Sequence, residues 1–114
     1  MIEIWHNPRC SKSRASLEVL ENSKHEYKII KYLDEDISES KIKDVLQKLG
    51  LSARKIMRTG EELYKELNIA NISDENQLIE ILSKNSKLIE RPIIIRDTKA
   101  VIGRPIENTI TLLA

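Results

Sequence analysis

Ile2-Glu3-Ile4-Trp5-His6-Asn7-Pro8-Arg9-Cys10-Ser11-Lys12-Ser13-Arg14 is the stretch from which the rest of the chain is read. Residues 2–5 alternate as a half-buried strand does and stop at His6-Asn7-Pro8, a turn signal. From Ser11 to about Asn22 the pattern is helical, with Ala15, Leu17, Val19 and Leu20 available for one face. Cys10 therefore falls where a strand and turn give way to a helix. Tyr27 to Leu33, rich in aromatic and β-branched residues, reads as a second strand.

Outward from this unit the chain becomes helical. Asp36-x-x-Glu39 carries a capping-box signal, Ile42, Val45, Leu46 and Leu49 follow at helical spacing, and Gly50 is the expected stop. A shorter segment spans Ser52 to about Arg58, another Glu61 to Leu67, and Asp74-x-x-Gln77 opens a helix holding Leu78, Ile81 and Leu82. Strand character returns at Pro92 to Arg96 and at Ala100 to Ile102 across Asp97-Thr98-Lys99, and Pro105 introduces a last helix to about Leu113. The order is β-α-β, a helical insertion at about 36–86, then β-β-α. It predicts an α/β fold with a four-stranded mixed sheet, thioredoxin-like in outline, in one domain over 1–114.

Composition narrows the class. The chain has 114 residues, 40% hydrophobic and 32% charged, with 19 Lys+Arg against 18 Asp+Glu. A net charge of +1 gives no bulk attraction to nucleic acid or to a membrane surface. No apolar run is longer than a few residues, so no span of a bilayer is expected, and Glu3 and His6 interrupt the N-terminal run that a signal peptide requires. One cysteine excludes an internal disulfide and a Cys-based zinc cage, and the expected compartment is the reducing cytoplasm. Eighteen isoleucines and no phenylalanine predict an aliphatic core.

Cys10 is the chemical focus. Unpaired N–H groups and the dipole at a helix start favour a thiolate, and His6, Arg9, Lys12 and Arg14 surround it with no acid between Glu3 and Glu18. The competing reading, a buried inert cysteine, is disfavoured because four basic residues make apolar burial costly. A tyrosine-phosphatase loop would need arginine at position 16, which is Ser. A dithiol oxidoreductase would need a second cysteine at position 13, which is also Ser. Ser13 has two readings, a donor to the thiolate or a first-turn hydroxyl on the backbone. An oxidised Cys10 must pass its sulfur to an outside thiol. Arg58, Arg91 and Arg104 are candidate oxyanion ligands, since guanidinium forks suit a tetrahedral anion and stabilise charge that builds during thiolate attack. Pro92 either opens a strand or is a cis proline opposite the cysteine.

With these residues in view the sequence resembles the glutaredoxin-coupled arsenate reductases, a branch of the thioredoxin-like fold with a helical insertion. The resemblance rests on Ile4 to Arg14, Met57-Arg58, Glu90-Arg91-Pro92-Ile93-Ile94 and Gly103-Arg104-Pro105, and covers nearly the whole chain. It implies that Cys10 attacks arsenate and that Arg58, Arg91 and Arg104 hold the oxyanion. Glutathione as co-substrate would reduce the adduct, and glutaredoxin would remove the mixed disulfide. His6 is implied to help set the pKa of Cys10, with Ser13 and Arg14 stabilising the thiolate and Asn7 and Pro92 shaping the site; a surface or turn-capping role is the other reading of His6. No metal, bound cofactor or nucleic-acid partner is implied, and a monomer is expected. Arg9 departs from a position that is usually small in the family, and Arg96 is read as a solvated strand end. Two other functions stay open: a glutathione-dependent reductase of another substrate, and a regulator that binds RNA polymerase, as Spx-type members of the same fold class do.

Overall fold

The computed structural model describes all residues, Met1 to Ala114. They divide into two compact units, Met1–Glu35 with Arg91–Ala114, and Asp36–Glu90. The first unit contains β1 (Ile2–Trp5), α1 (Ser11–Glu21), β2 (Tyr27–Ile30), β3 (Ile93–Arg96), β4 (Lys99–Ile102) and α5 (Ile106–Leu113). The second holds α2 (Glu39–Leu49), α3 (Glu62–Glu66) and α4 (Glu75–Lys84), with 3-10 turns at Ala53–Ile56, Ile69–Asn71 and Ser86–Leu88. No helix is long and apolar enough to cross a membrane.

The sheet is the four-stranded mixed sheet of a thioredoxin-like fold, in the order β2-β1-β3-β4. β1 runs parallel to β2 and antiparallel to β3, and β3 is antiparallel to β4. Trp5 pairs with Ile30 on one side and with Ile93 on the other, and Ile93 pairs with Ile102. The segments that follow β1 and β2, precede β3 and follow β4 therefore meet at one end of the sheet. Ile2, Ile4, Leu20 and Ile94 form a buried cluster, against which Leu17, Tyr27, Val101, Leu112 and Leu113 pack. This is the aliphatic core expected of the composition.

Several boundaries differ from the sequence reading, each for a local reason. β2 stops at Ile30 rather than Leu33 because its partner β1 ends at Trp5. The Asp34 N–H then donates to the Lys31 carbonyl at 2.9 Å, closing a turn, and Tyr32 folds inward to stack on Trp5 with ring centroids 6.4 Å apart. The buried stripe of α1 is Ser13, Ser16 and Leu20, and Ala15 is exposed. Hydroxyls line that face because they have partners there: Ser16 Oγ lies 2.8 Å from Thr109 Oγ1 of α5. Arg96 is not a solvated strand end. Its guanidinium donates to the carbonyls of Leu112 (2.9 Å) and Ala114 (3.4 Å), where a cation opposes the partial negative charge at the end of α5.

In the second unit the capping box at Asp36 is not used. Ser38 is the N-cap of α2 and accepts the Lys41 N–H at 3.1 Å, since its hydroxyl stands directly before the first helical residue. Gly50 ends that helix at φ 69°, as expected of a left-handed stop, and Asp74 caps α4 by accepting the Gln77 N–H. Arg54 ties the unit's irregular part together, donating to Tyr64 Oη at 2.6 Å and to the carbonyls of Ile69 and Ile72.

Gly103 follows β4 where three side chains close on it. A Cβ there would stand 2.6 Å from Ser16 Oγ, 2.7 Å from Thr109 Oγ1 and 2.8 Å from Pro92 Cγ. Gly103→Ala should destabilise the protein by about 1–3 kcal/mol, the usual cost of overpacking a filled site. Urea unfolding of the variant beside the wild type checks this.

Candidate active site

The loop after β1 is built by its own sequence. Asn7-Pro8-Arg9-Cys10 is a β-turn in which the Cys10 N–H donates to the Asn7 carbonyl at 3.0 Å, with proline at the position whose φ it pre-sets. Asn7 Oδ1 accepts the Arg9 N–H at 3.0 Å, a local side-chain turn typical of Asn. Arg14 reaches back from α1 and donates to the Pro8 carbonyl at 2.9 Å. The turn delivers Cys10 to the N-cap position of α1 in an extended conformation, with no acidic residue in the first helical turn.

The Cys10 thiol is held below its ordinary value of 9.0. Burial pushes it up, but the Ser13 N–H, the Arg91 side chain, the Lys12 N–H and the Arg104 charge together outweigh that and favour the thiolate. Arg104 Nη2 donates to Cys10 Sγ at 3.3 Å, and its Nε donates to the Arg91 carbonyl at 2.7 Å, so one guanidinium ties the sulfur to the segment before β3. Both Arg91–Pro92 and Arg104–Pro105 are cis peptides. The Pro92 carbonyl accepts the Gly103 N–H at 2.9 Å, which sets the two arginine-bearing segments side by side.

Ser13 follows the second of its two readings, a hydroxyl on the backbone, and His6 bonds to that hydroxyl. Ser13 does not present its hydroxyl to the sulfur; its backbone N–H does that work. The hydroxyl accepts the Asn7 N–H at 3.0 Å and lies 2.6 Å from His6 Nδ1. Fully buried, its own hydrogen has Nδ1 as acceptor, which leaves the imidazole hydrogen on Nε2. His6 makes no hydrogen bond to Cys10; its partner is the Ser13 hydroxyl. Its pKa is lowered from 6.5 by burial, then by the charges of Lys31 and Arg14, with Glu21 opposing. Arg14 likewise spends its hydrogen bond on the loop and not on the sulfur. The bond between Ser13 and His6 was outside the reach of sequence, because it depends on His6 facing α1 across the loop.

Arg58 belongs to the second unit. Its N–H donates to the Leu88 carbonyl at 2.7 Å, and its guanidinium lies 3.6 Å from the carboxylate of Glu61. Glu61 was not anticipated as a partner, although its i,i+3 spacing from Arg58 is visible in the sequence. The structure contains no group of His, Cys, Asp and Glu residues arranged to hold a metal ion.

The sequence pattern of the ArsC family matches residues 5–111. The chain belongs to the ArsC family. A relative from Neisseria meningitidis (serogroup A, strain Z2491), named arsenate reductase, is 47% identical over 109 residues, covering 94% of this chain and 93% of its own. The uncharacterized protein YfgD of Escherichia coli K12 is 44% identical over 114 residues, 98% of this chain and 96% of its own. Among solved structures, the arsenate reductase from Vibrio cholerae superposes with a TM-score of 0.93 at 42% identity, covering 98% of this chain and 97% of that one.

Two titrations test the site. The rate of Cys10 alkylation by iodoacetamide should have its midpoint below pH 9.0, and Arg91→Ala should move that midpoint upward. For His6 the folded-state pKa is the lower one, so the unfolded chain takes up the proton first. Its contribution to stability is intact above pH 6.5 and is lost as pH falls through the folded value. Urea unfolding at pH 7.5 and 5.5 should show a smaller acid loss in His6→Asn than in the wild type.

Proposed function

We propose that this chain reduces arsenate to arsenite with Cys10 as nucleophile. The observation that carries the reading is the thiolate-favouring sulfur with Arg104 Nη2 at 3.3 Å and the Arg91 side chain beside it. The likeness to relatives named arsenate reductase supports the choice of oxyanion.

In this reading the Cys10 thiolate attacks the As(V) centre and an arsenate oxygen leaves as water, giving a sulfur–arsenic adduct. Arg91 and Arg104 neutralise charge on the oxyanion, and the resemblance adds Arg58 as a third guanidinium. The glutathione thiolate then attacks Cys10 Sγ. The sulfur–arsenic bonding pair stays with arsenic, which departs as As(III) in arsenite, and a Cys10–glutathione disulfide remains. A glutaredoxin thiol removes the glutathionyl group and returns the Cys10 thiolate. Two electrons reach arsenic and two thiols become one disulfide, so the sequence balances. Asn7, Pro92, His6, Ser13 and Arg14 support the loop geometry on which these steps depend. The reaction uses glutathione as co-substrate with no bound cofactor or metal, and the proposal places a monomer in the reducing cytoplasm that keeps glutathione and glutaredoxin reduced.

The test is arsenate-dependent NADPH consumption with glutathione, glutaredoxin and glutathione reductase. Cys10→Ser should fall to background. Arg91→Ala and Arg104→Ala should each lower kcat/KM by about a hundredfold, the scale of losing one oxyanion donor. Wild-type protein that leaves arsenate unreduced would overturn the reading.

A further inference from the structure

At the reactive end of the sheet β1 has a different neighbour on each side. On the β3 side stand Arg91, Pro92 and, beyond them, Gly103 and Arg104, whose guanidinium is already on the sulfur and on the Arg91 carbonyl. On the β2 side the chain leaves Ile30 into the Lys31–Asp34 turn, and a cleft of about 500 Å³ separates that turn from the Cys10 loop. His6, Pro8 and Arg9 form one wall, and Lys31, Leu33 and Asp34 the other. The volume lies within the range of about 300–1,000 Å³ usual for small-molecule sites.

The lining has a definite character. Arg9 and Lys31 are exposed cations with no carboxylate paired to either. Pro8 and Leu33 offer apolar surface, and Leu33 is 42% exposed. Asp34 supplies one anion at the far wall. The two walls join where β1 and β2 end, with the His6 N–H on the Ile30 carbonyl at 2.9 Å. A complementary ligand carries carboxylates for the two cations, an ammonium group for Asp34 and a short apolar body between them. The chain has a single cysteine, so any turnover that oxidises Cys10 needs a second sulfur from outside.

We propose that the β2-side cleft seats the carboxylate-bearing thiol co-substrate, with Arg9 and Lys31 on its carboxylates and Asp34 on its amino group. Oxyanion and thiol then approach Cys10 from opposite flanks of β1, and neither has to leave before the other arrives. The assignment rests on the thiol-coupled reading given above; the sulfur–sulfur bond it serves is the Cys10–glutathione disulfide already described.

Two measurements test it. In arsenate turnover, Lys31→Glu should reduce the advantage of glutathione over neutral 2-mercaptoethanol by about tenfold, as expected for reversing a steering charge. An unchanged ratio overturns the proposal. Independently of turnover, unreactive S-methylglutathione titrated into nitrogen-labelled wild-type protein should shift the amides of residues 6–9 and 31–34. Shifts confined to the Arg91–Arg104 segment, or none, overturn it. Shifts at 31–34 in a protein that reduces no arsenate with any thiol would keep the cleft assignment and sink the arsenate reading instead.

Discussion

One register governs the reactive end of this molecule: Trp5 between Ile30 and Ile93. Because β1 is central, the loop that follows it has a strand on either hand, and three other chain segments are brought to it by pairing alone. The loop needs little length to complete the site. Asn7 and Pro8 turn the chain, the Cys10 N–H closes the turn, and α1 begins at once. Cys10 is thus fixed by a short turn whose backbone is held by Asn7, Ser13 and Arg14.

The thiolate then depends on a contest that burial alone would lose. Taking sulfur out of water favours the neutral thiol, and each stabilising group is individually modest. They succeed because four of them add together: two N–H groups of the first helical turn and two guanidinium groups from the segments flanking β3 and β4. Placement of the arginines in turn depends on close packing. Gly103 admits Ser16, Thr109 and Pro92 to distances that no side chain there would permit, and Arg104 is the next residue. Hydroxyls on the buried face of α1 therefore hold two neighbours, Ser13 the loop and Ser16 helix α5.

Much of this was legible from residue order. Strand alternation at 2–5, the turn at Asn7-Pro8, the helical spacing of Ile42 to Leu46, Gly50 as a stop and Asp74 as a cap are all local signals, and the structure realises each one. The pairing of Arg91 and Arg104 with proline marked the segments that come to the sulfur. What stayed hidden was tertiary. Ser13 and Ser16 look like surface residues of a helix until their hydroxyl partners are known. His6 is near Cys10 in sequence, yet its imidazole faces Ser13. Arg96 resembles an ordinary strand-end charge because nothing in its own strand reveals the end of α5 opposite it. Sequence distance is a poor guide wherever a polar group chooses between several partners within reach.

The Arg96 contact has a consequence for how the C-terminal part acquires order. An isolated helix of eight residues is too short to hold itself in water, where about 12–15 are needed even for favourable sequences. α5 has no basic residue in its last turn and takes its counter-charge from β3 instead. His25, from the connection between α1 and β2, adds a ring nitrogen 3.1 Å from the Leu113 carbonyl. The end of the helix is thus secured by one strand end and one distant connection, the β3 terminus and the loop before β2. The C-terminal helix therefore draws its stability from the sheet and its connections rather than from its own length.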